Sequence, residues 1–302
     1  MGKLEGMRID VSEVKSFRNC KRQWALSSRN KFNLKTKTPA PALYFGTLFH
    51  ECLAELYMGA ELHKILEFIE KELADPAEVR TLEAMITGYR DIVLDDDLDQ
   101  YIVKDIEHKF ELSIPPFDGL GVVLCGSIDM ICLKDVGDNT YEVWGFEHKS
   151  CARFRDPMYT AVDEQPRLYT VALQQYVAQL NEHAEGETKF VLGGIFINEV
   201  RKIQRSFDHK RTECVYKKED LNNFMKGFYI SCKGIKECTE EDVHMPDPGQ
   251  MKCTMCSFKT LCDEYAYTSP DIEDILDEFQ DEFEVRKVDH LDEKQERSIE
   301  KT

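Results

Sequence analysis

The chain lacks long apolar runs. No stretch of its 302 residues approaches the length needed to span a bilayer, which excludes a protein with transmembrane helices. The first ten residues are polar and lack the apolar stretch of a signal peptide. Hydrophobic residues still make up 42% of the chain, which is enough for a folded core. These features predict a soluble protein of the cytosol with no membrane partner.

Basic residues are outnumbered, since 39 lysines and arginines face 57 aspartates and glutamates, which gives a net charge of −18. The deficit is uneven, since the chain from Pro270 onward has 13 acidic and 5 basic residues. Residues 15–37 instead contain eight basic residues and no acidic one, interleaved with Phe17, Trp24 and Phe32. Such a segment fits phosphate contacts with base stacking, and equally a solvated helix face over buried aromatic side chains. Its basic residues are Lys15, Arg18, Lys21, Arg22, Arg29, Lys31, Lys35 and Lys37.

An evenly paired disulfide framework is missing as well. Eleven cysteines is an odd number, and they are scattered through a sizeable chain, so we expect most of them to be reduced. Cys253, Cys256 and Cys262 form one tight group with the spacing C-x2-C-x5-C. A group spaced in this way is typical of a metal site rather than of a disulfide pair.

The hydrophobic periodicity changes from helical to strand-like and back along the chain. We predict helices at residues 11–29 (with Ser12 as N-cap), 42–57, 61–73, 76–94, 164–180 and 217–236, and an acidic turn at 95–100. We predict strands at 101–114, 122–133 and 141–147 in antiparallel succession, and further strands at 190–198 and 203–207. This order predicts an α/β or α+β core, in which helices flank a mixed sheet.

The same features divide the chain into four expected parts. Residues 1–40 are an N-terminal helix and basic segment, and residues 41–240 are the core, with a helical insertion at about 60–100. Residues 241–268 are a cysteine module, and residues 269–302 are an acidic, flexible tail with an amphipathic patch. We expect this tail either to dock on a protein partner or to limit non-specific DNA binding.

Two central strands contain a group of residues typical of catalytic sites. Glu147 and Lys149 are two residues apart, so their side chains project on one face of a strand, and Asp129 lies in an apolar strand. A buried carboxylate needs a partner, and two carboxylates on adjacent strands offer hard oxygen ligands to Mg²⁺ or Mn²⁺. A nearby lysine can orient water. Alternatively, the acids end their strands at the surface and Lys149 is a salt-bridge partner.

Four short motifs occur in a fixed order. They are GxxxH at 46–50, GxxD at 126–129, ExK at 147–149 and QxxxY at 165–169, and the last pair shares one helix face. Each motif is weak alone, but together they resemble the RecB-like branch of the PD-(D/E)XK nucleases. This resemblance covers about residues 10–265 and implies a restriction-endonuclease-like core.

The resemblance also implies roles for individual residues. His50, Asp129, Glu147 and the carbonyl of His148 would bind metal, Lys149 would be catalytic, and Gln165 and Tyr169 would support the site or contact DNA. Iron–sulfur members of the family place one cysteine before the GxxxH helix, which makes Cys20 the fourth ligand beside Cys253, Cys256 and Cys262. Spacing does not separate a 4Fe-4S cluster from zinc, although the resemblance favours the cluster. Lys21 stands where the family usually has proline.

The resulting expectation is a Mg²⁺- or Mn²⁺-dependent deoxyribonuclease of DNA recombination, repair or end processing. We expect an exonuclease that prefers single-stranded DNA with a free end. The alternatives are a nuclease subunit active only in a complex, with a helicase or in CRISPR adaptation, and a non-catalytic nucleic-acid-binding protein with a zinc site. The expected DNA contacts are Arg18, Lys21, Arg22, Trp24, Arg201 and Arg205.

Overall fold

A computed structural model describes residues 6–117, 120–265 and 271–286 of the chain. Its residues divide into two compact units. Unit 1 comprises residues 1–40, 109–126 and 222–302, and unit 2 comprises residues 41–108 and 127–221. Each unit therefore draws on segments that are distant in sequence.

Unit 2 contains a mixed sheet. Strand β4 (Leu120–Gly137) crosses the boundary between the units, and its second half pairs antiparallel with β5 (Thr140–Cys151). Strand β5 pairs parallel with β6 (Lys189–Arg201), which pairs antiparallel with β7 (His209–Cys214). Strand β3 (Ile102–Phe117) also pairs with β4. The predicted mixed sheet flanked by helices is confirmed, but the predicted strand 203–207 is wrong, because β7 lies several residues later.

Several helices of unit 2 begin at an aspartate cap. Asp75, which precedes Pro76 at the first helical position, accepts a hydrogen bond from the N–H of Ala77. Asp163 accepts one from the N–H of Gln165. The helices are α3 (Pro41–Tyr57), α4 (Leu62–Glu72), α5 (Pro76–Tyr89), a π-helical turn (Arg90–Leu94), α6 (Asp95–Gln100), α7 (Pro157–Val162) and α8 (Glu164–Glu182). Apolar side chains of α3 to α5 pack with Met130, Phe146 and Phe196 of the sheet into one core. The predicted acidic turn at 95–100 is wrong, because these residues form α6.

Unit 1 begins with strand β1 (Met7–Ile9), which pairs parallel with residues 122–124 of β4. Two helices follow, α1 (Val11–Asn19) and α2 (Lys21–Ser27), where a single helix was predicted. The chain is extended at Cys20, so the helix is interrupted there. The N-cap is Asp10 rather than Ser12, because the Asp10 carboxylate accepts a hydrogen bond from the N–H of Glu13 at 2.8 Å.

The C-terminal segments complete unit 1. Helix α9 (Lys218–Glu240) leads into it, and α10 (Gln250–Thr254), α11 (Lys259–Glu264) and α12 (Ile272–Glu278) follow. Strand β8 (Phe283–Val285) pairs antiparallel with β2 (Leu34–Thr36). Residues 271–286 of the segment predicted to be flexible therefore form a helix and a strand, and residues 287–302 lie outside the described residues.

A small core holds these pieces together. It contains buried side chains from α2, β2, α11, α12 and β8, among them Leu26, Leu34, Leu261, Ile275 and Phe283. The ring of Phe283 stacks on that of Phe258 with centroids 5.5 Å apart. Among the described helices of both units, none is long and apolar enough to cross a membrane.

Candidate active site and cysteine site

The two predicted acidic residues lie side by side on β4 and β5. Met130 of β4 pairs with Phe146 of β5, which puts Asp129 next to Glu147 across the antiparallel pair. Both side chains are buried, with 7% and 3% of their surface exposed. The backbone N–H of His148 donates a hydrogen bond to Asp129 Oδ2 at 2.7 Å. The strand pairing thus fixes both carboxylates, and the alternation of strand residues brings Lys149 to the same face as Glu147.

Glu147 has one oxygen with partners and one without. Its Oε1 atom accepts a hydrogen bond from Gln165 Nε2 at 2.7 Å and forms an ion pair with Lys149. Gln165 Nε2 also donates to the hydroxyl of Tyr169 at 3.0 Å. The Oε2 atom is buried and has no hydrogen-bond partner. Such an orphaned anionic oxygen is costly to bury, and a cation would satisfy it.

His50 approaches the same place from α3. Its Nδ1 atom lies 3.1 Å from Asp129 Oδ2, which is close enough for both atoms to bind one ion. Glu107 joins them, since ligand atoms of His50, Glu107 and Asp129 lie within 4.8 Å of one another. Sequence reasoning missed Glu107, which lies in no motif. Its φ of 51° is in the left-handed region, which non-glycine residues rarely adopt.

The electrostatics of the site separate the two carboxylates. Burial alone would raise the pKa of Asp129, but His50 and Lys149 outweigh it and lower that pKa. Burial and the charge of Asp129 raise the pKa of Glu147, although Lys149 opposes them. Burial lowers the pKa of His148 to about 3, so this imidazole is neutral near pH 7. The site thus combines carboxylate oxygens and imidazole nitrogen, which are donor atoms that can hold a divalent cation.

A buried polar network lies behind His148. Neighbouring residues His148, Asn198 and Arg211 lie on β5, β6 and β7 and are paired in register. Arg211 Nε donates to Asn198 Oδ1 at 2.6 Å, and Asn198 Nδ2 lies 3.4 Å from His148 Nδ1. Arg211 also donates two hydrogen bonds to the Asp97 carboxylate, at 2.6 and 2.8 Å. Tyr57 donates a further one to Asp97 at 2.6 Å.

The predicted cysteine ligands all lie on segments of unit 1, and their role as ligands stays a prediction. Cys20 lies at the break between α1 and α2, and Cys253, Cys256 and Cys262 lie on or beside α10 and α11. Burial raises the pKa of the Cys256 and Cys262 thiols, and Cys20 raises both further through its proximity. The N–H groups of Asp247 and Gly249 each lie 3.4 Å from the sulfur of a cysteine, Cys20 and Cys253 respectively. Backbone donors of this kind suit thiolate ligands.

The buried members of the predicted DNA-contact set have structural partners. Trp24 is fully buried and donates from Nε1 to Glu13, so no ring face is left for a base. Arg22 is 5% exposed and donates to the backbone carbonyls of His244 and Tyr265. The predicted DNA contacts of Trp24 and Arg22 are therefore replaced by these structural roles.

The remaining members lie nearer the surface. Arg18 donates to Ser231 Oγ, Lys21 lies over the Phe17 ring, and Arg201 pairs with Asp208 at 2.8 Å. Arg205 is exposed. Contact between DNA and these four residues stays a prediction.

The chain was compared with protein families, curated proteins and solved structures. The family model described as the PD-(D/E)XK nuclease superfamily matches residues 8–263. A solved structure described as "Crystal structure of SSO0001" is similar over 87% of this chain and 89% of that chain, with 12% sequence identity and a TM-score of 0.37. No curated protein matches. The matched range spans the positions of all four sequence motifs and of the four candidate cysteine ligands.

Proposed function

Because the chain belongs to the PD-(D/E)XK nuclease superfamily, we propose that it is a metal-dependent deoxyribonuclease, active as an exonuclease on single-stranded DNA. The observation that supports this most is the convergence of Asp129, Glu147 and Lys149 with His50 of α3. They come from three different motifs, and hydrogen bonds from the His148 N–H and from Gln165 orient the two carboxylates. A surface salt bridge would not bury Glu147 to 3% exposure with one oxygen unsatisfied.

Side chains around this site fit one or two Mg²⁺ or Mn²⁺ ions. The donor set is carboxylate oxygen and imidazole nitrogen, with His50, Asp129 and Glu147 as ligands and the His148 carbonyl as a further one. Glu107 is within reach of His50 and Asp129, and we add it to this set. A bound divalent ion supplies Lewis-acid polarisation of the phosphoryl oxygen and lowers the pKa of water.

The chain's other residues orient the reacting groups. Lys149, held beside Glu147, places a positive charge where negative charge develops on the phosphoryl oxygens. The side-chain amide of Gln165 donates a hydrogen bond to Glu147 Oε1 and so fixes the rotamer of this carboxylate. Glu147 Oε2 then remains without a hydrogen-bond partner. Tyr169 accepts from the same amide and holds the glutamine in place. Gln165 and Tyr169 are therefore positioning residues.

The cysteine site is proposed to hold a 4Fe-4S cluster, with zinc as the alternative. Four thiols gathered from both ends of unit 1, two of them near backbone N–H donors, support either group. Its role is structural, since it would join α2 to α10 and α11. Anaerobically purified protein with about four irons per chain supports the cluster, and stoichiometric zinc without iron contradicts it.

The test of the nuclease proposal uses linear and covalently closed circular single-stranded DNA with Mg²⁺ or Mn²⁺. The wild-type protein should degrade the linear strand and spare the circle. Lys149→Ala should abolish cleavage while the melting temperature stays near that of the wild type. Lys189→Ala, an exposed lysine at the start of β6, is the matched control and should cleave normally. Full activity of Lys149→Ala would contradict the catalytic assignment, and equal loss of both substrates would contradict the exonuclease.

A further inference from the structure

Helix α7, which packs against β7, presents large apolar side chains to solvent. Met158, Tyr159 and Val162 are 62%, 64% and 50% exposed, whereas Thr160 of the same helix is 2% exposed. The helix lies in the segment that joins the end of β5 to α8, which carry Lys149 and Gln165. An exposed aromatic and a methionine next to each other suggest a surface that has a partner.

The segment is anchored on both sides of its exposed face. Before α7, the N–H of Arg155 donates to the buried Glu199 carboxylate at 2.9 Å. After α7, Asp163 pairs with Arg155 at 3.2 Å and caps α8 at Gln165. The hydroxyl of Tyr216 also donates to the carbonyl of Ala161 at 2.7 Å. The outward face of α7 is therefore held beside the groups that position Glu147.

Positive charge lies on and around the loop that precedes this helix, where Arg155, Arg201 and Lys210 also pair with carboxylates. The side chains of Arg201 and Lys210 lie over the ring of Phe154, 5.7 and 5.9 Å from its centroid. Arg153 and Arg155 are exposed in the same loop. Because β5 and β6 are parallel and Cys151 pairs with Arg201, Arg201 lies at the end of the sheet where β5 finishes, two residues after Lys149. The exposed ring of Tyr159, a few residues after this basic loop, gives the segment the composition of a single-strand binding surface.

We propose that Tyr159, supported by Met158, is the platform on which an unpaired base next to the scissile phosphate stacks. This inference rests on the proposed nuclease function and assigns its preference for single strands to a particular side chain. Stacking needs an accessible base face, which a duplex hides, and every base offers one, so the contact selects for strandedness and not for sequence. The arginines of the preceding loop contact the phosphates on either side of that base.

The test is a binding measurement that needs no cleavage. A labelled single-stranded oligonucleotide is titrated with protein in Ca²⁺, and the wild type is compared with Tyr159→Ala and Tyr159→Phe. Loss of one stacked base should weaken binding by about 5- to 150-fold, and the phenylalanine variant should bind like the wild type. Ile92→Ala, an apolar residue of unit 2 that is 61% exposed, is the control and should leave binding unchanged.

An abasic site moved stepwise along the oligonucleotide separates stacking from a general structural effect. At one position the abasic site should weaken wild-type binding as much as Tyr159→Ala does, and the two changes together should cost no more than either alone. Tyr159→Ala with wild-type affinity, or with a defect that is equal at every abasic position, overturns the inference. A wild-type protein that binds in this way but cuts no DNA would overturn the nuclease proposal instead.

Discussion

The buried ion pair between Asp97 and Arg211 allows a quantitative prediction about unit 2. The Asp97 and Arg211 side chains are 4% and 23% exposed, and they share two hydrogen bonds. Arg211 also lies over the rings of Phe146 and Phe196, 5.0 and 5.3 Å from their centroids. The Asp97 carboxylate and neighbouring tyrosines raise the pKa of Arg211 despite its burial, so the guanidinium keeps its charge.

Asp97→Ala should therefore destabilise the fold strongly. Removal of one partner leaves a charged guanidinium buried against aromatic rings, which costs about 3–5 kcal/mol. For a protein of this size, that free energy lowers the melting temperature by about 6–20 °C. The measurement is thermal unfolding followed by circular dichroism. The matched control is Asp96→Ala, since Asp96 is exposed on the same helix and should melt within about 2 °C of the wild type.

A second variant separates the ion pair from simple loss of packing. Replacing both partners, as in Asp97→Leu with Arg211→Met, leaves no buried charge and should recover most of the lost stability. The stability argument is refuted if Asp97→Ala melts with the wild type. It is also refuted if the double variant is less stable than Asp97→Ala by the full cost of a second independent mutation.

Three further predictions follow from the site and the packing. Glu107→Gln should weaken Mn²⁺ binding by about 10- to 100-fold without altering the melting temperature, measured by calorimetry; unchanged affinity would remove Glu107 from the ligand set. Cys20→Ser should lose the metal of the cysteine site on anaerobic metal analysis, whereas the buried Cys52→Ser should keep it; equal metal content in both would reject Cys20 as a ligand. Gly193→Ala should destabilise by about 1–3 kcal/mol in denaturant titration, since an added Cβ would lie 2.3 Å from the Trp144 ring; wild-type stability would show that the ring moves freely.

The sheet was predictable where a strand is a run of apolar residues bounded by turn signals. Strands β4 and β5 are buried continuously around Asp129 and Glu147 and are rich in β-branched and aromatic residues, so both strands were found. Strand β7 was placed too early because its residues are polar. Its polarity has a tertiary cause, since Lys210 and Arg211 pair with Glu199 and Asp97. These partners lie on other elements, so a local pattern does not report them.

The same limit applies to the candidate site. Motif order singled out His50 and the strand residues because their spacing is local. Glu107 is separated from every motif and reaches the site through a backbone conformation that leaves no sequence signature. Asp97 was assigned to a turn, because a run of aspartates is usually solvated and its buried arginine partner is far along the chain. Trp24 was assigned to DNA because a basic segment does not reveal which aromatic faces the core.

The pairing of β2 with β8 has a consequence for the order in which the protein folds. Residues 34–36 are synthesised early and find their partners only at residues 283–285, near the end of the chain. All residues of unit 2 lie between 41 and 221, so they can complete their own core while the ribosome is still producing α10 to β8. During that interval Leu26 and Leu34 lack their C-terminal neighbours. Non-local closure of this kind is slow, so we expect unit 1 to close after unit 2 has folded.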